Sequence, residues 1–510
     1  MTSPGATLGY TVSKGKLGLN PITDVEEDVV LAAIGYTVTP PTGSAQTLGA
    51  GHVFQDQPLS ELSAALLPPA PYQNEHGLGT LGDAVGNCVG TGARNMVFLG
   101  EYGRDGVFSG CTPATVAAMG AVQVFDVNHP VSPGSPIATI APPNDPGNCA
   151  PCASSSNCVG RFGHGLAIGD VDGDGINDLA VGAQEAEFGA GRVYVFFGNS
   201  NFLQTSPPGY LTRWVAFKAP IPAGSAPTNA FGVTIQIVEL DGQPGAEVVV
   251  ASYERRVNTG RVSIFRGASV ANIPNGTIVG PTGPGSASYP QYQELAPGPA
   301  QASISDTFGW QIFPGDLRGD GRTDLAIWTE NIQPPLSQPP SCGEITPRIG
   351  ALFIYTNVSA TSPTKIMETL AYNAATQPNG YFKLTSSIIN TSIAPLARFG
   401  RGATVCRWKY LDGVARNVFF VGEPGAYAHG NCEAGKVHLY ELTLNPGATP
   451  VMTMDGPNPS LAGHFGASMV ALRYNNILAP LDAEQLVISG REESPNGVSQ
   501  AGRAYSFIAN

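Results

Sequence analysis

Three short marks recur along this chain in the same order, seven times, and that repetition restricts its fold more than any bulk property does. The clearest copy, RFGHGLAIGDVDGDGINDLAVGAQEAEFGAGRVYVFFG, runs from Arg161 to Gly198. It has Phe-Gly before a short apolar run, a second apolar run that closes an acidic loop, and a Gly-x-Val-x-Val-Phe run. Phe-Gly returns at Phe231-Gly232, Phe308-Gly309, Phe399-Gly400 and Phe465-Gly466, with Leu8-Gly9 as a variant and HGLG around Gly77 to Gly79 as a degraded form. The middle run returns as DVVLAAIG from Asp28, NMVFLG from Asn95, EVVVAS from Glu247, DLAIWT from Asp324, NVFFVG from Asn417 and QLVISG from Gln485. The third run returns as GHVF from Gly51, GAVQVF from Gly120, GRVSIF from Gly260, GALFIY from Gly350, GKVHLY from Gly435 and GRAYSF from Gly502.

These runs are rich in Val, Ile, Phe and Tyr and are bounded by Gly, Pro or Asn, which predicts strands and not helices. Three strands and a poorer fourth make one small antiparallel sheet. Such a sheet cannot bury both faces alone, so the units must stack side by side, here in a ring. The expected fold is all-β, a single seven-bladed β-propeller over residues 1–510. The approximate blades are 1–70, 71–145, 146–220, 221–300, 301–385, 386–455 and 456–510. The last unit stops inside its third strand, so the residues before Leu8 are expected to close blade seven as its fourth strand.

At the level of motifs, Phe-Gly, a D-x-D-x-D-G-x-x-D loop and Gly182-Ala183-Gln184 at the end of the second strand resemble the FG-GAP repeat of integrin α-subunits. The resemblance implies the seven-bladed head of that family, with calcium bound in loops between the first two strands of a blade.

The residues of the loops support the calcium expectation on their own chemistry. Unit three offers Asp170, Asp172, Asp174 and Asp178 at positions 1, 3, 5 and 9, with the carbonyl of Ile176 at position 7. These are hard oxygen donors, which suit Ca²⁺, and Gly175 permits the sharp turn between them. An EF-hand needs Glu at position 12, where this chain has Val181 inside a strand. Unit five offers Asp316, Asp320, the carbonyl of Arg322, and Asp324, but position 3 is Arg318. Either calcium binds there with one ligand fewer, or the guanidinium neutralises the carboxylates. Unit four keeps the spacing with Glu239, Asp241, Gln243, the carbonyl of Gly245, and Glu247. Unit one has Asp24 and Asp28 with Ile22 at position 3, so no metal is expected there. Arg318-Gly319-Asp320 also spells an adhesion tripeptide, read here as coincidence because Asp320 is a loop ligand.

Eight cysteines, several in Gly/Pro-rich loops, point to an oxidising compartment. Cys88 and Cys111 flank the middle strand of unit two, and Cys406 and Cys432 that of unit six, which predicts two disulfides, Cys88–Cys111 and Cys406–Cys432. Cys149, Cys152, Cys158 and Cys342 are expected to form disulfides of undetermined connectivity. No zinc pattern is completed around Cys149-x-x-Cys152.

The net charge of −13 argues against nucleic acid as partner, since phosphate binding needs a basic surface. No apolar stretch approaches the roughly 20 residues of a membrane helix. MTSPGATLGY lacks the features of a signal peptide, so for the expected extracellular or secreted protein either the signal has been removed or export takes another route. No GxSxG, P-loop or HExxH occurs, so no catalytic residue is expected. The functional expectation is an extracellular, calcium-stabilised binding or adhesion module for protein ligands. A glycan-binding propeller is the alternative, and a propeller-based polysaccharide lyase or hydrolase a third.

Antiparallel strands alternate direction, so the acidic loops share one face of the ring. The insertions 36–48, 101–119, 128–160, 268–306 and 329–349 are expected on the opposite face, with the protein or glycan partner.

Overall fold

Each repeat folds into its own sheet. The computed structural model describes residues 7–15, 28–38, 46–55, 60–61, 65–67, 85–87, 95–107, 115–116, 119–126, 134–143, 160–204, 206–220, 230–252, 260–281, 289–296, 307–330, 350–357, 367–369, 382–384, 398–409, 414–441, 450–459, 463–473, 484–491, 493 and 502–508. Their strands form seven sheets of three to five strands in chain order, plus a two-stranded hairpin. Blade three is the pattern: Phe162–Gly169, Asp178–Ala183, Arg192–Phe196 and Trp214–Lys218 pair antiparallel from the inner strand outward.

In blades three, four and five the second strand is buried along its whole length: Asp178–Ala183, Glu247–Ser252 and Asp324–Thr329. Alternation explains why apolar residues occupy both of its faces. Leu179, Val181 and Ala183 pack with Met96, Phe98 and Val122 of blade two. Ala180 packs with Ile235, Val248 and Val250 of blade four. The same arrangement recurs between blades four and five, five and six, six and seven, and one and two. Val12, Val29 and Leu31 of blade one then meet Leu472 and Val487 of blade seven, which closes the ring.

The Phe-Gly mark lies at these seams. Gly191, at the entrance to the third strand of blade three, bridges to Phe231 of blade four; a Cβ at Gly191 would lie 2.2 Å from the Phe231 carbonyl oxygen. Phe231 itself is fully buried. In blades two to six the glycine that precedes the third strand and the Phe-Gly of the next blade are therefore two halves of one contact.

The inner strands line a central channel of about 440 Å³, to which Ser13, Leu166, Gln236, Gln311, Thr404 and Ser468 come from six different blades. Among the described residues blade seven has three strands, Phe465–Arg473, Glu484–Gly490 and Arg503–Ile508. The segment expected to close it, before Thr7, lies outside the described residues, and Thr7–Gly15 is the inner strand of blade one.

Two corrections follow from the topology. The stretch between the third strand of blade four, Arg261–Phe265, and its outer strand, Tyr292–Leu295, leaves the sheet at the acidic-loop end, because Phe265 pairs with Val248 beside Glu247. It forms a one-turn helix, Gly267–Ala271, then a strand, Thr277–Val279, that adds in parallel to the outer strand of blade three. The first part of the 268–306 insertion thus lies on the acidic-loop face, contrary to expectation. The same geometry puts the described turn 134–137, just before the outer strand of blade two, Ala138–Ile140, on that face and not on the opposite one.

The second correction concerns cysteine. Cys406 is a free, fully buried thiol, whereas Cys432 is disulfide-bonded to another cysteine. Cys406 pairs in register with Val418, five residues inside the sheet from the Glu423–Lys436 pair that bounds the Cys432 loop. Five strand residues span roughly 16 Å, far beyond the reach of a disulfide. Cys88, Cys111, Cys149, Cys152, Cys158 and Cys342 lie outside the described residues.

Candidate metal centre

In blade three the acidic loop is folded by its own carboxylates. Asp170 Oδ1 accepts from the backbone N–H of Gly173 (2.7 Å) and Asp174 (3.1 Å), and Oδ2 from Gly175 (2.8 Å). Asp174 Oδ1 accepts from Ile176 N–H at 2.8 Å. Gly175 has a φ of +86°, a conformation that costs little only for glycine. The result is convergence: carboxylate oxygens of Asp170, Asp172 and Asp174 lie within 4.8 Å of one another.

Asp178, expected as a fourth ligand, is 1% exposed and holds the loop to the sheet. Its oxygens accept from Val171 N–H and Gly198 N–H, both at 2.8 Å. Burial pushes its carboxyl up to about 7 against the pull of those two hydrogen bonds, and the nearby charges of Asp172 and Asp170 push the same way. Positive charge in this loop would relieve that repulsion.

Blade four repeats the construction. Glu239, Asp241 and Glu247 converge within 4.8 Å. Glu247 accepts from Leu240 N–H at 2.8 Å, matching Asp178 and Val171, and burial is the main cause that pushes it up to about 8. Gln243 contributes its backbone N–H to Asp241 at 2.9 Å. The two loops are joined, because Ala246 N–H donates to the carbonyl of Asp170 at 2.8 Å.

Sequence reasoning missed the arginines. Arg213, just before the outer strand of blade three, bonds Asp172, lies 4.0 Å from the centre of the Phe197 ring, and donates to the carbonyl of Ala271 at 3.4 Å. Arg266, just after the third strand of blade four, bonds Asp241 at 2.5 Å. Both flank a strand end on the acidic-loop face, which is the signal that could have found them.

Blade five differs. Arg318 Nε donates to both oxygens of Asp324, at 3.2 and 3.3 Å, and Nη2 lies 2.9 Å from Asp320 and 3.1 Å from Asp324. Of the two alternatives left open by the sequence, the structure has the guanidinium among the carboxylates. Asp316, Asp320 and Asp324 are not among the carboxylate groups that converge in the described residues, unlike those of blades three and four. The Nη2 contact folds Arg318 back onto Asp320, so the two charged side chains of the adhesion tripeptide are paired with each other.

The donor sets of blades three and four fit a hard divalent cation. All are oxygen, three carboxylates converge in each, and glycine turns shape both loops.

One buried chain resembles a catalytic relay: Glu423 Oε2 lies 2.7 Å from His438 Nε2, and His438 Nδ1 lies 2.9 Å from Thr453 Oγ1. Blade two has the same chain at equivalent positions, with Glu101, Gln123 and Thr139, and a Gln cannot act as base. The shared geometry is therefore that of a polar tie across a sheet.

Comparison with known proteins agrees with this architecture. The family model described as FG-GAP repeat matches residues 162–196, the unit that carries the first acidic loop. Human integrin alpha-IIb is 32% identical over 120 residues, 23% of this chain and 10% of that protein. Mouse phosphatidylinositol-glycan-specific phospholipase D is 30% identical over 182 residues, 33% of this chain and 18% of that protein. The chain thus spans less than a fifth of the length of either relative. A solved structure titled "Structure of Dos1 propeller" aligns over 96% of this chain and 81% of its own, with a TM-score of 0.42 and 10% identity. The protein is a seven-bladed β-propeller in which residues 162–196 match the FG-GAP repeat. In particular, it is an integrin-α-like FG-GAP propeller. No helix among the described residues is long and apolar enough to cross a membrane.

Proposed function

We propose that this propeller is an extracellular binding module for a protein ligand, braced by Ca²⁺ in the loops of blades three and four. The observation that carries the cation is the convergence of Asp170, Asp172 and Asp174 in a loop whose sequence matches the FG-GAP repeat. Asp170, Asp172, Asp174, Asp178 and the carbonyl of Ile176 would hold the ion in blade three. Glu239, Asp241, Gln243, Glu247 and the carbonyl of Gly245 would hold it in blade four. The ion would supply positive charge that pins the loop and leave the chemistry of recognition to other residues.

The binding role rests on the likeness to integrin α-subunits. The ligand would engage the face opposite the acidic loops, where 36–48, 101–119 and 329–349 join second strands to third strands. Of these, 101–119 forms a short hairpin of Gly106–Val107 with Thr115–Val116. The test captures partners on the immobilised chain and compares two variants. Shortening 329–349 should weaken capture with calcium affinity unchanged; Asp174→Ala should do the reverse. Protection of the Asp170–Asp178 loop from hydrogen exchange by direct contact with the partner would overturn the assignment of faces. Competition by free sugars would select the glycan-binding alternative, and turnover of a polysaccharide or ester would replace the binding module with an enzyme.

A further inference from the structure

We propose that in blade five the guanidinium of Arg318 performs the task that a divalent cation performs in blade three, so that this loop is braced without metal. The proposal rests on the calcium reading of blade three for the comparison, but its geometry stands alone.

Arg318 occupies loop position 3, held by Asp172 in blade three and Asp241 in blade four. The arginines of those two loops come from outside, and each bonds only the position-3 carboxylate of its loop. Arg318 instead enters the loop. Its Nε is shared by both oxygens of Asp324, which is fully buried, and its Nη2 makes ion contacts with Asp320 and Asp324. A buried carboxylate is stabilised by a positive partner, and the planar guanidinium presents several N–H donors in a fixed fork that reaches both Asp320 and Asp324.

The remaining carboxylate is also satisfied. Asp316 accepts from the backbone N–H of Asp320 and Gly321, at 3.0 and 2.9 Å. Asn417 of blade six donates through Nδ2 to Asp316 Oδ2 at 3.1 Å and lies 3.2 Å from the Asp316 carbonyl oxygen. Each carboxylate of the loop thus has a protein partner, and the loop is tied to the next blade.

The experiment counts calcium bound per full-length chain by equilibrium dialysis and follows melting in calcium and in chelator. Wild type should lose one ion with Asp174→Ala and none with Asp320→Asn. Arg318→Gln should lower the melting temperature by a similar amount in both buffers. Arg318→Asp should be destabilised in chelator, recover in calcium, and bind one more ion than wild type. Loss of an ion with Asp320→Asn, or a melting loss with Arg318→Gln in only one buffer, would overturn the proposal. If Asp174→Ala leaves the count unchanged, the blade three reading falls, while equal loss with Arg318→Gln in chelator still supports the role of Arg318. Should Arg318→Asp fail to fold, Arg318→Lys decides: a smaller loss than Gln in both buffers supports the proposal, and a loss as large as that of Gln in chelator refutes it.

Discussion

Gly182 of blade three lies against the backbone of Gly232 in blade four so closely that a Cβ at Gly182 would come 1.9 Å from the Gly232 carbonyl oxygen. Gly422 stands in the same relation to Gly466 between blades six and seven, also at 1.9 Å. This contact gives the two halves of the repeat signature one physical cause, because the glycine ending one second strand makes room for the Phe-Gly turn of the next blade. Gly232 is itself packed against Arg192 and Val193, whose atoms would lie 3.0 and 3.2 Å from a Cβ placed there, so its backbone has little room to retreat. Gly182→Ala should cost at least the 1–3 kcal/mol typical of an overpacked core. Chemical denaturation measures it, and a loss below about 0.5 kcal/mol would mean that the seam is more pliable than its geometry implies.

Calcium removal should destabilise the chain through the blade three and blade four loops. An ion that binds only the folded state adds about 2.7 kcal/mol at a hundredfold excess over its dissociation constant. Melting in calcium and in chelator should therefore differ for wild type and differ less for Asp174→Ala. Glu239→Gln should also shrink the difference, because it removes one of the three converging carboxylates in blade four. An Asp174→Ala curve that keeps the full wild-type difference would remove blade three from the account.

The seven-fold pattern was legible in sequence because strands, turns and acidic loops are each written within a few consecutive residues. What escaped was written at long range. Asp172 meets Arg213 across 41 residues, Asp241 meets Arg266 across 25, and Asp316 meets Asn417 across 101. No local spacing announces such pairs, although strand direction does place each partner on the acidic-loop face. The disulfide expectation at Cys406 failed for a related reason. It compared distances along the chain in two units, whereas the strand register puts Cys406 inside a sheet and Cys432 beyond its end. Position 9 was legible as an acid but not as the hinge of its loop. Only the folded chain brings Val171 N–H to Asp178 and Leu240 N–H to Glu247.

Cys406 should be inert in the native protein. Burial pushes its thiol well above the ordinary range, with Glu484 acting the same way, and the thiolate is the reactive species. Alkylation followed by peptide mapping should leave Cys406 unmodified until denaturant is added, then modify it without reductant. The same non-reducing map should place Cys432 in a bond to a cysteine other than Cys406. Recovery of a Cys406–Cys432 peptide would reverse the correction made above.

Glu493 supplies a pH dependence that can be tested apart from any metal. Its carboxyl is buried beside the third strand of blade seven and accepts from Tyr505 Oη at 2.5 Å. Burial pushes it above its ordinary value, partly offset by that hydrogen bond and by the charge of Arg503. A carboxyl raised in the folded state binds its proton more tightly there than in the unfolded chain. Its contribution to stability is therefore fully present below the ordinary value and lost as pH rises through the raised one. Glu493→Gln keeps an acceptor for Tyr505 but cannot ionise, so relative to wild type it should gain stability across that window and stay level above it. Tyr505→Phe removes the donor and should cost about 1–3 kcal/mol at neutral pH by leaving a buried carboxylate underpaired. Melting temperatures of the three proteins in chelator, from pH 4 to pH 8, provide the measurement. A Glu493→Gln difference that is flat across the range, or one that moves against the variant as pH rises, would show that Glu493 titrates no differently in the folded chain than in the unfolded one.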